Sequence, residues 1–421
     1  MMILRWFLSK TVREAMAEHK HFRRLLAAQR DLMSPQAIAP VQVKLDGLAA
    51  AMKEGHTGKI NIQRQELQFA AEKWIKPYPH PAWRENVEVL LVALAVAMGI
   101  RTFFLQPFKI PTGSMQPTLF GVTAYPDYIN MWNALRMGQD ERAQSEFRQL
   151  LQQQKDMVIP SGWQRVKDFF EGNSYVHLVA DSDGQVESVE PPAGIKIFNF
   201  WQDITFAGHK HRIWFPPDVG EVDLAHRAGM MTGRIYKKGE DIVKLRVSAG
   251  DHLFVDRLTY NFRKPERGEI IVFATANTQI EKQDQFYIKR LTVLPNDHVS
   301  LGNDRHMRIN GERLDASTPH FENVYGFNPN QPPHESQYSG HLNAAVARSY
   351  GQYSDFPFFP DEQTVFSNSP DTLMVFGDNT CNSSDSRVWG TVPTRNVIGK
   401  SFFVYWPIST GDRGRFGWGN Q

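Results

Sequence analysis

One cysteine, Cys381, in 421 residues excludes an intrachain disulfide framework and any zinc site built from several thiolates. The fold must stand on packing alone. Net charge is also scarce: 47 Lys and Arg against 45 Asp and Glu leave +2, which gives no electrostatic ground for nucleic acid as a partner. No internal repeat or low-complexity tract is present. A cleavable leader is not expected either, because the apolar stretch 1–8 is short and runs straight into charged residues.

What is present is local. The length suggests two or three folding units. Residues 1–30 hold Arg5, Lys10, Arg13, Lys20, Arg23, Arg24 and Arg30 against Glu14 and Glu18. Such a run is usually a solvated helix face, and beside a membrane segment it reads as a cytoplasmic orientation signal. Apolar residues spaced three and four apart in 3–31 and 41–53 predict two amphipathic helices parted near Pro35 and Pro40, a hairpin without chemistry. Pro77, Pro79 and Pro81 end the pattern. Residues 87–105, VEVLLVALAVAMGIRTFFL, carry charges only at Glu88 and Arg101. The uninterrupted apolar core, 89–100, is short enough for a buried helix. Its end charges can snorkel, and Trp83, Phe103 and Phe104 flank it, which favours one membrane span.

After Pro107 the texture turns to short strand-like runs: GEIIVFATA at 268–276, FYIKRLTVL at 286–294 and SFFVYWPI at 401–408. Residues 122–245 read as an inserted α+β region, with a helix around 131–155, a hairpin turning at Ser182, Asp183 and Gly184, and an aromatic-rich stretch 198–215. A second irregular stretch spans about 315–365.

Three segments could carry chemistry. In the first, Pro111 and Pro117 stiffen the chain around Thr112, Gly113 and Ser114, which can present a hydroxyl at a tight turn; ordinary turn serines look the same. A serine needs a base, and Lys289 sits oddly in the apolar run Tyr287, Ile288, Lys289, Arg290, Leu291. Burial would lower its pKa and supply a neutral amine, whereas an edge-strand lysine in water is the bland alternative. Arg290 would face the other way, into solvent or a salt bridge. The third is Gly377, Asp378, Asn379, Thr380, Cys381, Asn382, Ser383, Ser384, Asp385, Ser386, Arg387, Val388, Trp389, Gly390, whose small polar side chains suit a loop tied by hydrogen bonds; one of them could orient a lysine amine, and the bland alternative for Asp385 and Arg387 is a structural ion pair. His209, His211 and His226 lack a carboxylate cluster and are read as surface residues, with no metal. Cys381 as a thiol nucleophile is set aside because Ser114 and Lys289 already offer a nucleophile and a base.

Taken in order, these segments resemble the bacterial type I signal peptidases. The Ser114 segment resembles the family's Ser-Met-x-Pro-Thr-Leu box after a membrane segment. Residues Gly250, Asp251, His252, Leu253, Phe254 and Val255 resemble the next strand box, 287–297 the lysine box, and 377–390 the Gly-Asp-Asn and Ser-x-Asp-Ser-Arg-x-Trp-Gly signature. The resemblance implies Ser114 as nucleophile and Lys289 as general base, an oxyanion hole from the Ser114 N–H and the Thr112 hydroxyl, and Ser383 orienting the lysine. Asp378, Asp385 and Arg387 would be supports, and Phe108, Ile110, Pro111, Met115, Tyr287 and Ile288 would line shallow pockets for a signal peptide. No cofactor is implied. Thr380 and Cys381 depart from the family's Arg-Asp, and Asn296 from its Gly.

The resulting expectation is a mainly β catalytic domain of the signal-peptidase fold, shared with self-cleaving Ser-Lys repressors, preceded by a helical N-terminal region and one transmembrane helix. Its parts would be a cytoplasmic region 1–82, a span 83–106, and an extracytoplasmic peptidase domain 107–421 with insertions at about 122–245 and 315–365. The partners implied are signal peptides of exported preproteins and the lipid bilayer, with the secretion translocon a further candidate and no nucleic acid. The rivals are a soluble self-cleaving repressor, which the anchor and the missing DNA-binding motif oppose, and a catalytically silent membrane-anchored binding protein that uses the 122–245 insertion.

Overall fold

The computed structural model describes residues 9–76, 81–129, 141–195, 198–230, 233–351, 355–409 and 414–418. The expectations that rest on Arg5, Pro77, Pro79 and the start of the 131–155 helix fall outside them. The chain forms two compact units, Met1–Val96 and Ala97–Gln421.

Before residue 77 the described residues of the first unit form three α-helices, Lys10–Gln29, Pro35–Glu54 and Thr57–Trp74, where the sequence pattern predicts two. Ser9 caps the first by accepting a bond from the Val12 N–H. The break falls at Ser34, with Pro35 opening the second helix, and Pro40 lies inside that helix instead of dividing it. Gly55, left-handed at φ 84°, closes it. Thr57–Trp74 escapes the periodicity test because it buries only Ile60, Leu67, Ala70 and Ala71 among polar neighbours. Leu45 and Leu48 join Val12, Leu26 and Ile60 in one core, and Arg64 ties the first and third helices through Glu14 and Glu18.

The helix Pro81–Phe103 follows. Within it, Trp83–Phe103 is the one helix among the described residues long and apolar enough to cross a membrane, and none of its apolar window is covered by protein. Val89, Leu91, Val92 and Met98 are all exposed. At 1.5 Å per residue it spans about 30 Å, the thickness of a bilayer's hydrocarbon core. Leu105 and Gln106, expected in the span, already belong to the first strand.

The second unit is built on an antiparallel seven-stranded sheet. Its order is Leu105–Lys109, His252–Asp256, Val397–Trp406, Ile270–Ala274, Phe286–Val293, Thr372–Phe376 and Val392–Pro393. Register shifts at His252/Leu253, Phe254/Val255, Val272/Phe273 and Leu291/Val293 bend and twist it. Both faces are covered. Ile270 and Val272 pack with Ile110, Met115, Leu253 and Val255, while Ile271 and Phe273 pack with Leu291, Val375 and Trp389. Such two-sided burial makes these strands read as continuous apolar runs. Four short strands at 298–313 and 366–367 form a second sheet, and the irregular stretch beside it holds one short helix, Ala344–Ser349.

Between Thr123–Tyr125 and Asp241–Ser248 the chain makes two more sheets around a core of Val176, Ile204, Phe206, Tyr236 and Val243, with helices Glu141–Asp156 and Trp163–Phe170. The turn at 182–184 is not a hairpin. Asn173–Val179 pairs with Asp241–Ser248, whereas Gly184–Val189 pairs with Phe198–Phe206 and Ile235–Tyr236 in the other sheet. The hairpin lies in the aromatic stretch instead, where Phe198–Phe206 pairs with His209–Trp214. Phe206→Ala should cost about 4 kcal/mol and raise amide exchange across 173–247; unchanged exchange there would show that this core does not hold the segment together.

Candidate active site

The turn that carries Ser114 leaves the strand Leu105–Lys109 and is anchored by its neighbour in the sheet. The Ile110 N–H donates to the Asp251 carbonyl at 2.9 Å, and the Asp251 N–H to the Phe120 carbonyl at 2.8 Å. The Asp251 carboxylate takes the Phe120 N–H at 2.6 Å and pairs with Arg415 at 2.6 Å. Gly250 is required here, because a β-carbon would strike the Ile110 carbonyl oxygen. Asp251 thus pins both ends of the turn.

Lys289 comes from the strand Phe286–Val293, which pairs Lys289 with Ile271. Its Nζ lies 2.5 Å from Ser114 Oγ. Ser114 is 8% and Lys289 5% exposed. Burial, partly opposed by the charges of Asp385 and Asp378, lowers the Lys289 pKa from 10.5 to about 8. A hydroxyl therefore faces an amine that loses its proton near physiological pH. The Thr112 hydroxyl is 3.5 Å from Ser114 Oγ.

The loop after Thr372–Phe376 closes over this pair. The Asn379 N–H donates to the Ser114 carbonyl at 3.1 Å, and its side-chain amide to the Gly113 carbonyl at 2.9 Å. Gly377 has no room for a β-carbon, which would meet Ser383 Oγ and the Ser114 carbonyl oxygen. Ser383 Oγ is buried beside this point without a hydrogen-bond partner, so in this arrangement it makes no bond to the lysine it is expected to orient. Asp378 does not reach the lysine by hydrogen bond either. It binds Arg290 through two bonds, at 2.8 and 2.6 Å, and accepts from the Thr118 hydroxyl. Arg290 is accordingly buried in an ion pair and also donates to the carbonyls of Gly268 and His320. Asp385 and Arg387 are both 0% exposed and joined by two 2.8 Å bonds. Burial works against the Asp385 carboxylate, but Arg387 and the Gly377 N–H outweigh it and hold its pKa below the usual range.

The six pocket candidates divide. Ile110 and Met115, at 2% and 0% exposure, lie beneath the surface in the core with Leu253 and Val255, while Phe108 and Ile288 are half-buried against that core. The Phe108 ring meets Phe286 edge-on at 5.4 Å. Pro111 is exposed. Tyr287 packs on the opposite cluster with Phe273, and Lys289 Nζ lies 5.7 Å from its ring. The alternation of the strand separates Tyr287 from Ile288. His211 lies 3.7 Å from Asp181 and His226 at 2.7 Å from Asp223; among the described residues no group of three or more His, Cys, Asp or Glu gathers to hold a metal. Cavities of about 340 and 560 Å³ lie among residues 303–350, and neither Ser114 nor Lys289 lines them. The sequence reading does not single out Asn379, Thr118 or Gly377, although Asn379 and Gly377 stand inside the quoted loop motif and Thr118 inside the Ser-Met-x-Pro-Thr-Leu box. Asn379 bonds main chain, Gly377 makes room for it, and Thr118 links the Asp378 and Tyr338 side chains, none of which residue type announces.

The geometry predicts an unusual stability effect. The fall in the Lys289 pKa to about 8 means that folding disfavours its charged form by about 3 kcal/mol below that pH. Since the folded pKa lies below the unfolded one, this penalty is full below pH 8, shrinks as pH rises towards 10.5 and vanishes above it. Lys289→Met should therefore be more stable than wild type at pH 7, with the advantage fading in denaturation curves as pH rises through that window. A variant less stable than wild type at pH 7 would contradict it.

Comparisons with known proteins bear on the same residues. Residues 83–125 and 243–406 match the family model described as signal peptidase, peptidase S26. The chain is similar to the probable signal peptidase I-2 of Synechocystis sp., at 31% identity over 159 residues, covering 38% of this chain and 56% of that protein. It is also similar to the signal peptidase I of Leptolyngbya laminosa, at 27% over 166 residues, 39% of this chain and 64% of that one, and to that of Pseudomonas fluorescens, at 29% over 189 residues, 39% and 62%. It thus spans 56 to 64% of the length of these relatives. A crystal structure of a signal peptidase I from Enterococcus faecalis V583 is 24% identical, with a TM-score of 0.22, covering 33% of this chain and 97% of that one.

Proposed function

We propose that this chain, a relative of the type I signal peptidases over 83–125 and 243–406, is a membrane-bound serine endopeptidase that removes signal peptides from exported preproteins. The observation that carries this reading is the buried Lys289 amine 2.5 Å from the Ser114 hydroxyl. With a pKa of about 8, about one amine in ten is neutral at pH 7. Neutral Lys289 takes the Ser114 proton as Oγ attacks the scissile carbonyl, then returns it to the leaving amine. Water, activated by the same lysine, hydrolyses the acyl-enzyme.

The remaining roles belong to the same proposal. The Ser114 N–H and the Thr112 hydroxyl stabilise the oxyanion. The Ser383 hydroxyl, buried and unpartnered, is free to turn to the lysine amine once substrate arrives. Asp378, Asp385 and Arg387 hold the loop. The preprotein lies extended against the strand edges near Phe108, Pro111 and Ile288, with pocket floors supplied from beneath by Ile110 and Met115 and with Tyr287 beyond the lysine. The helix Trp83–Phe103 anchors the chain in the cell membrane, with the basic N-terminal helices up to about residue 82 inside and the peptidase domain outside.

Cleavage of a preprotein with Ala at −1 and −3 by the detergent-purified full chain tests this. Ser114→Ala and Lys289→Ala should each lower kcat by at least about 10³-fold while remaining folded. Uncut substrate with folded wild type would instead favour a membrane-anchored binding protein. Because the neutral amine is the active form, kcat/KM should rise about tenfold between pH 7 and pH 9 with its midpoint near 8. A profile flat across that range would remove Lys289 as the base.

A further inference from the structure

We propose that the segment 334–342, within the second irregular stretch, positions the serine turn, with Ser336 and Tyr338 as positioning residues; the proposal rests on the peptidase reading above. Two threads run from this segment to the turn. Ser336 Oγ donates to the Gln116 side-chain oxygen, and the Ser336 N–H donates to the Asn379 side-chain oxygen at 3.2 Å. That same Asn379 holds the Gly113 and Ser114 carbonyls. Gln116 is buried two residues after Ser114, and its side-chain oxygen lies against Gly113. Ser336 therefore grips the turn from both sides of the nucleophile. The second thread is Tyr338, whose hydroxyl lies 3.0 Å from that of Thr118. Thr118 bonds Asp378, the partner of Arg290, which follows Lys289 on its strand.

Two further observations point the same way. Ser336 has φ +61°, a left-handed conformation that turns ordinarily give to Gly or Asn. A serine there keeps the hydroxyl at the cost of local strain, as positions under functional constraint do. Thr380, one of the departures from the signal-peptidase pattern, accepts the Leu342 N–H at 3.1 Å and an Arg387 N–H at 2.9 Å. The segment and the loop over the dyad are thus joined at the position where this sequence differs, so the insertion supports a loop that carries an altered residue.

Ser336→Gly separates positioning from stability, because glycine adopts the left-handed conformation freely while lacking the hydroxyl. In the detergent-purified full chain, the expected result is an undiminished melting temperature, an unchanged KM, a kcat lower by about tenfold, and amide exchange raised at 113–118 but not elsewhere. The pH midpoint near 8 should stay, since the surroundings of Lys289 are untouched. Tyr338→Phe should give the same pattern more weakly. Unchanged exchange at 113–118, or a kcat loss matched by a lower melting temperature and exchange raised throughout, would overturn the proposal. If wild type cuts nothing, the peptidase reading fails alone, and exchange at 113–118 still decides the positioning.

Discussion

The β unit is organised around keeping one amine out of water. A buried lysine is costly unless it gives up its proton, and Lys289 occupies a strand whose two faces are both packed. The same low-dielectric surroundings hold Arg290, Asp378, Asp385 and Arg387, and each of these finds an opposite charge. Lys289 alone is answered by a hydroxyl. Burial is what depresses the lysine, against the pull of Asp385 and Asp378, while the Arg290–Asp378 and Arg387–Asp385 ion pairs tie strand and loop together around it.

The β strands were legible because two-sided burial leaves continuous apolar runs, and Lys289 stood out as a charge within one of them. Arg290 was not legible in the same way. Alternation gives its direction, but only the fold shows that Asp378 waits there and that Gly268 and His320 supply carbonyls. The turn at 182–184 shows the complementary limit. Ser-Asp-Gly chemistry announces a reversal of the chain, yet pairing depends on strands distant in sequence, and the two strands it joins belong to different sheets. The third N-terminal helix was hidden because a three-helix core needs only a narrow apolar stripe from each member.

Ser383 marks where motif reading and geometry part. The motif places a hydroxyl in the right loop, and the fold brings it beside Gly377, next to the main chain of Ser114. Its buried oxygen nevertheless has no partner. An unsatisfied buried hydroxyl is worth more satisfied, and rotation about a single bond is enough to offer it to a neighbour. The loop therefore leaves this hydroxyl unbonded beside Gly377, whereas the Asp385 carboxylate and the Arg387 guanidinium are bonded to each other.

The separation of 175 positions between Ser114 and Lys289 imposes a loop closure before the pair can meet. The topology removes most of that burden. The chain leaves the core fold at Thr123–Tyr125 and returns at Asp241–Ser248, and these two strands pair directly, Thr123 opposite Ser248 and Tyr125 opposite Arg246. Entry and exit are thus neighbours, with Val122 bonded to Pro111 on one side and Gly250 against Ile110 on the other. Residues 126–242, which the family model leaves unmatched, lie between a closed pair of strands, and Val176, Ile204, Phe206 and Tyr236 within them share a core with Val122, Val243, Leu245 and Val247 at that pair. Closure entropy grows only with the logarithm of length, and an insertion whose ends already meet adds little more to the folding of the site. The strand pair therefore isolates the dyad from the size of the insertion, while the shorter segment at 334–342, bonded to the turn itself, remains coupled to it.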